Sequence, residues 1–302
     1  MDSYDVIIVG GGPAGLNAAV VLGRCLRKVL VFDIALQRNR KSEGIHNYLT
    51  RDDIGPGEFL EIARHEIKKY NVKLNKSEII NIIKSKKNFF KVVDKKGQFY
   101  FSRKLLIATG LRDNLPELDG LPEMYGKSIF HCPYCDGWEV RNKKIGVYAK
   151  NKNGTDLALS LKTWSSHVVL LTDGKRRIKK SDKDKLQKNK IALINFPIKK
   201  LKGKNGKLEK IFFTNNETLN CDAIFFVNGY EQQCNLVKEL GCKMSDKGVV
   251  LTNNMQESNI KGLYVAGDAS KDMHFVVVAA AEGAKAGVAI NKDLQKEDLE
   301  LL

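Results

Sequence analysis

The chain has 302 residues, a formal net charge of +16, 28% charged and 43% hydrophobic residues, a length that suits two compact units of about 100 to 200 residues each. No uninterrupted apolar stretch reaches the ~18 residues of a membrane span, and no basic-then-apolar leader precedes the first strand, so a membrane protein is excluded and a cytoplasmic one expected. The charge is uneven: Asn142 to Lys210 carries 18 Lys and 2 Arg against 5 acids, but without basic-aromatic interleaving or a recognition motif it predicts no specific nucleic-acid partner.

In chain order, Tyr4 to Val9 is an apolar, β-branched run that predicts a buried strand, and it leads into Gly10-Gly11-Gly12-Pro13-Ala14-Gly15. This is a GxGxxG loop between a strand and a helix. Gly10 permits the tight turn, Gly12 lets backbone approach a pyrophosphate, and Gly15 lets the helix Leu16 to Arg24 pack closely on the strand. Pro13 and Ala14 open that helix, whose N-terminus favours a phosphate. A second strand, Lys28 to Phe32, ends at Asp33, about 20 residues after the glycines, where a ribose hydroxyl needs an acceptor. Phe59, Ile62, Ala63, Ile67 and Tyr70 fall at helical spacing and mark one amphipathic helix with a core-facing stripe, and the end from Glu297 to Leu302 reads as a frayed helix. Phe89 to Val93, a turn at Gly97 and Phe99 to Phe101 read as a hairpin. Residues 1 to about 113 therefore alternate strand and helix as a nucleotide-binding half.

Cys132-Pro133-Tyr134-Cys135-Asp136 follows. Two cysteines separated by two residues can close a small disulfide, and a thiol at the opening of a helix is acidified. Proline inside the pair favours a first-turn position, and Asp136 is positioned in sequence to pass a proton to a departing thiolate. Zinc is the competing reading, but Cys25, Cys221, Cys234 and Cys242 contain no second CxxC to complete four ligands. A purely structural bridge closing so short a loop would remove little chain entropy. Redox chemistry at Cys132 and Cys135 is favoured, with no metal. A reducing compartment keeps the other cysteines as free thiols, and Cys221, Cys234 and Cys242 read as small buried hydrophobes. His131 has a structural role or tunes Cys132, and Trp138 is core or interface.

The N-terminal loop, Leu105-Leu106-Ile107-Ala108-Thr109-Gly110, the CxxCD motif and Gly262-Leu263-Tyr264-Val265-Ala266-Gly267-Asp268 appear in one order along nearly the whole chain. In this the sequence resembles the low-molecular-weight thioredoxin reductases. The resemblance implies an α/β fold of two Rossmann-like three-layer domains, the second inserted into the first. Their bounds would be 1–113 (FAD-binding), 114–243 (inserted, NAD(P)-binding-like, carrying the CxxC) and 244–302 (FAD-binding, second part). It implies FAD held by the first loop, by Asn47, by Thr109 and Gly110, by Gly267 and Asp268, and by the helix from Val276 that runs beneath the flavin. It implies a homodimer in which Cys135 faces the flavin and Cys132 attacks the disulfide of a thioredoxin-like protein or a small molecule.

The chain departs from the family after the strand Ile145 to Tyr148. A second GxGxxA loop is replaced by Ala149-Lys150-Asn151-Lys152-Asn153-Gly154, and the His-Arg-Arg signature by Thr172-Asp173-Gly174-Lys175-Arg176-Arg177. Lys175, Arg176 and Arg177 suit a 2′-phosphate, whereas Asp173 suits an unphosphorylated ribose, so NADPH and NADH both stay open as donors. His274-Phe275 stands where the family has Arg-Gln, and Tyr134 where it has a small residue. The enzyme reading is a disulfide reductase. Ferredoxin as donor, oxidation of small dithiols in the reverse direction, and a flavin redox sensor without turnover stay as alternatives. The lysine-rich stretch is read chiefly as a solvated surface, secondarily as an attractor of acidic partners.

Overall fold

The computed structural model describes residues 3–85, 89–174 and 178–300. Strand β1 (Ser3–Val9), helix α1 (Pro13–Arg24), β2 (Val29–Phe32), α2 (Pro56–Lys68) and β3 (Lys73–Asn75) build a parallel sheet in the order β3-β2-β1. The hairpin β4 (Ile79–Lys84) and β5 (Phe90–Asp94) leads into β6 (Phe99–Ile107), which pairs parallel with β1 and antiparallel with β5. The four residues of β2 are all buried, which is why an uninterrupted apolar run and not an alternating one encodes it.

A short strand β7 (Leu111–Asp113) leads out of this sheet and pairs antiparallel with β16 (Tyr230–Gln232), the strand by which the chain returns. Between them lie α3 (Leu121–Met124), β8 (Ile129–Phe130), α4 (Pro133–Asp136), β9 (Ile145–Tyr148), α5 (Gly154–Leu161), β10 (Val168–Leu171), α6 (Lys180–Lys188) and β11 (Ala192–Ile194). They are followed by the antiparallel set β12 (Ile198–Lys204), β13 (Lys207–Phe213) and β14 (Thr218–Asn220), then β15 (Ala223–Phe226). The second sheet is parallel throughout, in the order β11-β10-β9-β15-β8. After α7 (Leu236–Glu239), β17 (Leu263–Val265) joins the first sheet beside β6, and α8 (Val276–Glu300) packs along α1. This is the two-unit Rossmann-like α/β fold that the resemblance implies, with a core on each face of both sheets.

Two local expectations change. The chain end from Glu297, read as a frayed helix, belongs to α8 and is tied down within the described residues. Glu297 accepts from Lys104 at 2.6 Å and from Arg103 at 3.0 Å, and Asp298 from Arg27 at 2.6 Å. Ile62, placed on the buried stripe of α2, is exposed, because Leu60 and Ile67 carry that contact. No helix among the described residues is long and apolar enough to cross a membrane.

Candidate active site

The first glycine loop opens one end of a cavity of about 290 Å³. Gly10 stands at φ +114, and a Cβ there would sit 2.2 Å from the Ala108 carbonyl oxygen, so no side chain fits between β1 and the end of β6. Gly15 lies outside the cavity. It lets α1 close onto the loop, since a Cβ there would come within 1.9 Å of the Gly10 carbonyl. Gly12, Pro13 and Ala14 line the cavity, and α1 begins with no side-chain cap on its free amides.

Asp33 lines the same cavity, held by Arg64 at 2.7 Å, the Ala35 amide at 3.0 Å and Gln37 at 3.1 Å. Thr109, Gly110, Gly267, Asp268 and Val276 complete its walls. Asn47 does not belong with them. It is exposed, stands at φ 64 and donates from Nδ2 to the Tyr134 carbonyl at 2.8 Å, so it braces the dithiol helix and contributes nothing to the cavity wall. Together the open amides of a helix N-terminus, a glycine loop with room over Gly12 and an acid at the end of β2 fit the ADP half of FAD.

The dithiol helix α4 also borders the cavity. Cys132 is its N-cap residue, and its carbonyl accepts from the amides of Cys135 and Asp136, both at 3.2 Å. Cys135 and Asp136 line the cavity, whereas Cys132 does not. Both cysteines are free thiols. A hydrogen bond from Cys135 lowers the Cys132 pKa against the opposing effect of burial, while the same bond and burial raise that of Cys135. Asp136 is pushed well above the ordinary carboxylate range by burial, by the charge of Cys132 and by Glu139. It can therefore hold a proton beside the pair.

A buried polar cluster that the sequence reading missed links the dithiol to the cavity. Arg38 binds Asp113 through two nitrogens, one at 2.9 Å, and reaches Asp268 at 3.3 Å and His274 Nδ1 at 2.9 Å. The Tyr125 hydroxyl donates to the same Asp113 at 2.6 Å. Burial of Arg38 is outweighed by Asp113, so its pKa is raised and it stays a cation. His131 lies 3.6 Å from Asp113, yet burial and then Arg38 hold its pKa down to about 4, so it is neutral near pH 7. It cannot act as the cation that acidifies Cys132. Only an arginine in a loop after β2 and an aspartate 75 residues away signalled this cluster, and neither lies in a glycine motif.

Two further placements bear on the expectations. Cys234, read as a buried hydrophobe, is half-buried and lines the cavity, while Cys221 and Cys242 are buried as expected. Trp138 is 65% exposed, as is Tyr134, so Trp138 is no core residue. Tyr134 meets Trp164 edge-on at 5.6 Å, and Arg141 lies 4.1 Å over the Trp138 ring. The residues Lys175, Arg176 and Arg177 lie outside the described residues.

A glycine-loop cavity lined by one member of an ionisable cysteine pair defines a flavin-linked dithiol–disulfide oxidoreductase. The model of the pyridine nucleotide-disulphide oxidoreductases matches residues 4–283. A probable thioredoxin reductase of Arthroderma benhamiae is 29% identical over 98% of this chain and 82% of its own length. The crystal structure of a putative thioredoxin reductase from Bacillus anthracis is 32% identical, covers 98% of this chain and 99% of its own, and superposes with a TM-score of 0.93. That of the protein HlmI is 30% identical, covers 99% and 94%, and has a TM-score of 0.95. The chain belongs to the pyridine nucleotide-disulphide oxidoreductase family and is a thioredoxin reductase-like flavoprotein enzyme. Membership implies FAD and a pyridine nucleotide as cofactors.

Proposed function

We propose that the chain reduces the disulfide of a thioredoxin-like protein or a small molecule through the Cys132/Cys135 pair. The observation that carries this is the split of the pair: Cys135 and Asp136 face the cavity, and the more acidic Cys132 lies outside its lining. FAD, when bound, supplies two-electron redox chemistry on the Cys135 side. The Cys132 thiolate attacks one sulfur of the substrate disulfide, forming a mixed disulfide and releasing the other sulfur as a thiolate. The Cys135 sulfur then attacks Cys132, closes the intramolecular disulfide and frees the second substrate thiolate. Asp136 holds the proton exchanged with the pair. Tyr134, Trp138 and Arg141, exposed beside α4, offer the incoming partner a contact surface.

By resemblance, the units are bounded at 113/114 and 243/244, the enzyme is a homodimer, and Gly10, Gly12, Asp33, Thr109, Gly110, Gly267, Asp268 and Val276 hold the cofactor. Six free cysteines suit a reducing, cytoplasmic compartment. On the donor side, NADPH or NADH is what membership favours. An acidic carrier such as a ferredoxin is the second reading, favoured by the 18 lysines and 2 arginines between Asn142 and Lys210. The decisive experiment is trapping. Cys135→Ser leaves Cys132 to form a stable mixed disulfide with an oxidised thioredoxin, whereas Cys132→Ser forms none. Equal trapping by both variants would overturn the assignment.

A further inference from the structure

The second strand–loop–helix unit has the topology of a nucleotide site without its opening. In open α/β sheets the ligand crosses the carboxyl ends of the strands where the strand order reverses. Here that point is the end of β9, flanked by β10 on one side and β15 on the other. In the first unit three residues separate Val9 from the start of α1 at Pro13; in the second, five separate Tyr148 from the start of α5 at Gly154.

Two of those residues, Lys150 and Asn151, bond across the mouth of the crevice while keeping a solvent-exposed side. The Asn151 side chain donates from Nδ2 to the carbonyl of Val227, just after β15, at 2.7 Å. Its Oδ1 accepts from the Asn153 amide at 3.0 Å, taking a donor that a phosphate would use at the start of α5. Ala149 is fully buried where the first loop has Gly10. On the other flank Lys150 reaches Asp173 Oδ2 at 2.6 Å and lies 5.4 Å over the Tyr148 ring. Asp173, the acid that suited a ribose, is bonded by the loop's own lysine. Oδ2 also accepts from the Tyr148 hydroxyl at 3.0 Å, and Oδ1 accepts from the Ile198 amide at 2.7 Å. One loop thus ties together the ends of β9, β10 and β15 through its own side chains. These residues do not fit a pyridine nucleotide, in disagreement with what family membership implies.

We propose that the nucleotide crevice of the inserted unit is shut by Asn151 and Lys150, so that neither NADPH nor NADH binds there at the affinity of a substrate. The inference is independent of the thiol chemistry at Cys132 and Cys135.

The test is equilibrium binding of NADPH and of NADH, followed by nucleotide fluorescence, to the FAD-loaded wild-type protein and to the triple variant Ala149→Gly/Lys150→Ala/Asn151→Gly. Wild type is expected to show no saturation up to about 1 mM, the upper end of the usual range for enzyme substrates. The triple variant is expected to bind at least ~10-fold more tightly, a change of about 1.4 kcal/mol. Saturable micromolar binding by wild type overturns the proposal. So does a triple variant that keeps wild-type FAD content and thermal unfolding yet gains no affinity. Lys150→Ala alone, which adds no glycine to the loop, serves if the triple variant unfolds, and is expected to gain affinity in the same direction. Reducing the flavin chemically with dithionite and titrating the protein thiols reads the dithiol separately, so failure of either reading shows by itself.

Discussion

The two strand–loop–helix units begin alike and end differently. Both place a buried four-to-seven-residue parallel strand before a helix, and both put an aspartate at the end of the next strand or just past it, Asp33 and Asp173. In the first, glycine at position 10 lets the loop turn tightly, and the helix amides face a cavity. In the second, Asn151 and Lys150 bond instead to Val227 and Asp173, just past the ends of β15 and β10. The difference teaches that a Rossmann topology supplies a place for a dinucleotide, and that the absence of side chains in one loop decides whether the place is open.

The largest effects break this comparison at the first unit. Gly10→Val should abolish FAD binding, since even a Cβ meets the Ala108 carbonyl at 2.2 Å, whereas Ala149→Gly should leave FAD content at wild-type level. The flavin absorbance of purified protein reads both. Cys135→Ser should lower disulfide turnover to background while preserving FAD content, as measured with an oxidised thioredoxin. Asp136→Asn should slow turnover by about 10²- to 10⁴-fold, the range for a positioned proton-transfer group, and stopped-flow thiol exchange would show it. Because the folded carboxyl titrates well above its ordinary value, it keeps its proton to higher pH than a free carboxyl and loses it as pH rises, so the wild-type rate should fall on the alkaline side and the variant should lack that limb.

Smaller effects concern stability at the cluster joining the cavity to the dithiol. Asp113→Asn removes one partner of a largely buried pair with Arg38 and should destabilise by about 3 to 5 kcal/mol in denaturant unfolding. His131 adds a pH dependence. Its folded pKa, about 4, lies below its ordinary value of 6.5, so the unfolded chain takes up a proton first as the solution is acidified. Its contribution to stability is complete above pH 6.5 and is lost as pH falls from 6.5 toward 4, a slope that His131→Gln should flatten. The smallest change is expected for Glu78→Gln, whose exposed pair with Lys95 at 3.0 Å should count for under about 1 kcal/mol.

Much of the site was legible because it is local. Gly10, Gly12 and Asp33 sit within one βαβ unit, and Cys132 to Asp136 within five residues, so spacing alone carries the geometry. Asn47 misled because a position in a loop does not say which way a side chain turns; its amide goes to Tyr134, 87 residues away. Arg38 went unread for the converse reason, since it becomes informative only beside Asp113 and Asp268. The chain end reads as frayed because termini commonly are, but ion pairs with Lys104 and Arg103 hold it.

By itself the sequence determined the class of fold, the first nucleotide loop and the redox pair, because glycine freedom, strand hydrophobicity and CxxC spacing act between neighbours along the chain. The missing glycines at 149 and 151 were equally visible. That Asn151 spans to Val227 and Lys150 to Asp173, closing the crevice instead of merely crowding it, was decided by the tertiary structure. A hydrogen bond or ion pair depends on distance and direction in space, and only the folded sheet brings the ends of β9, β10 and β15 within reach of one loop.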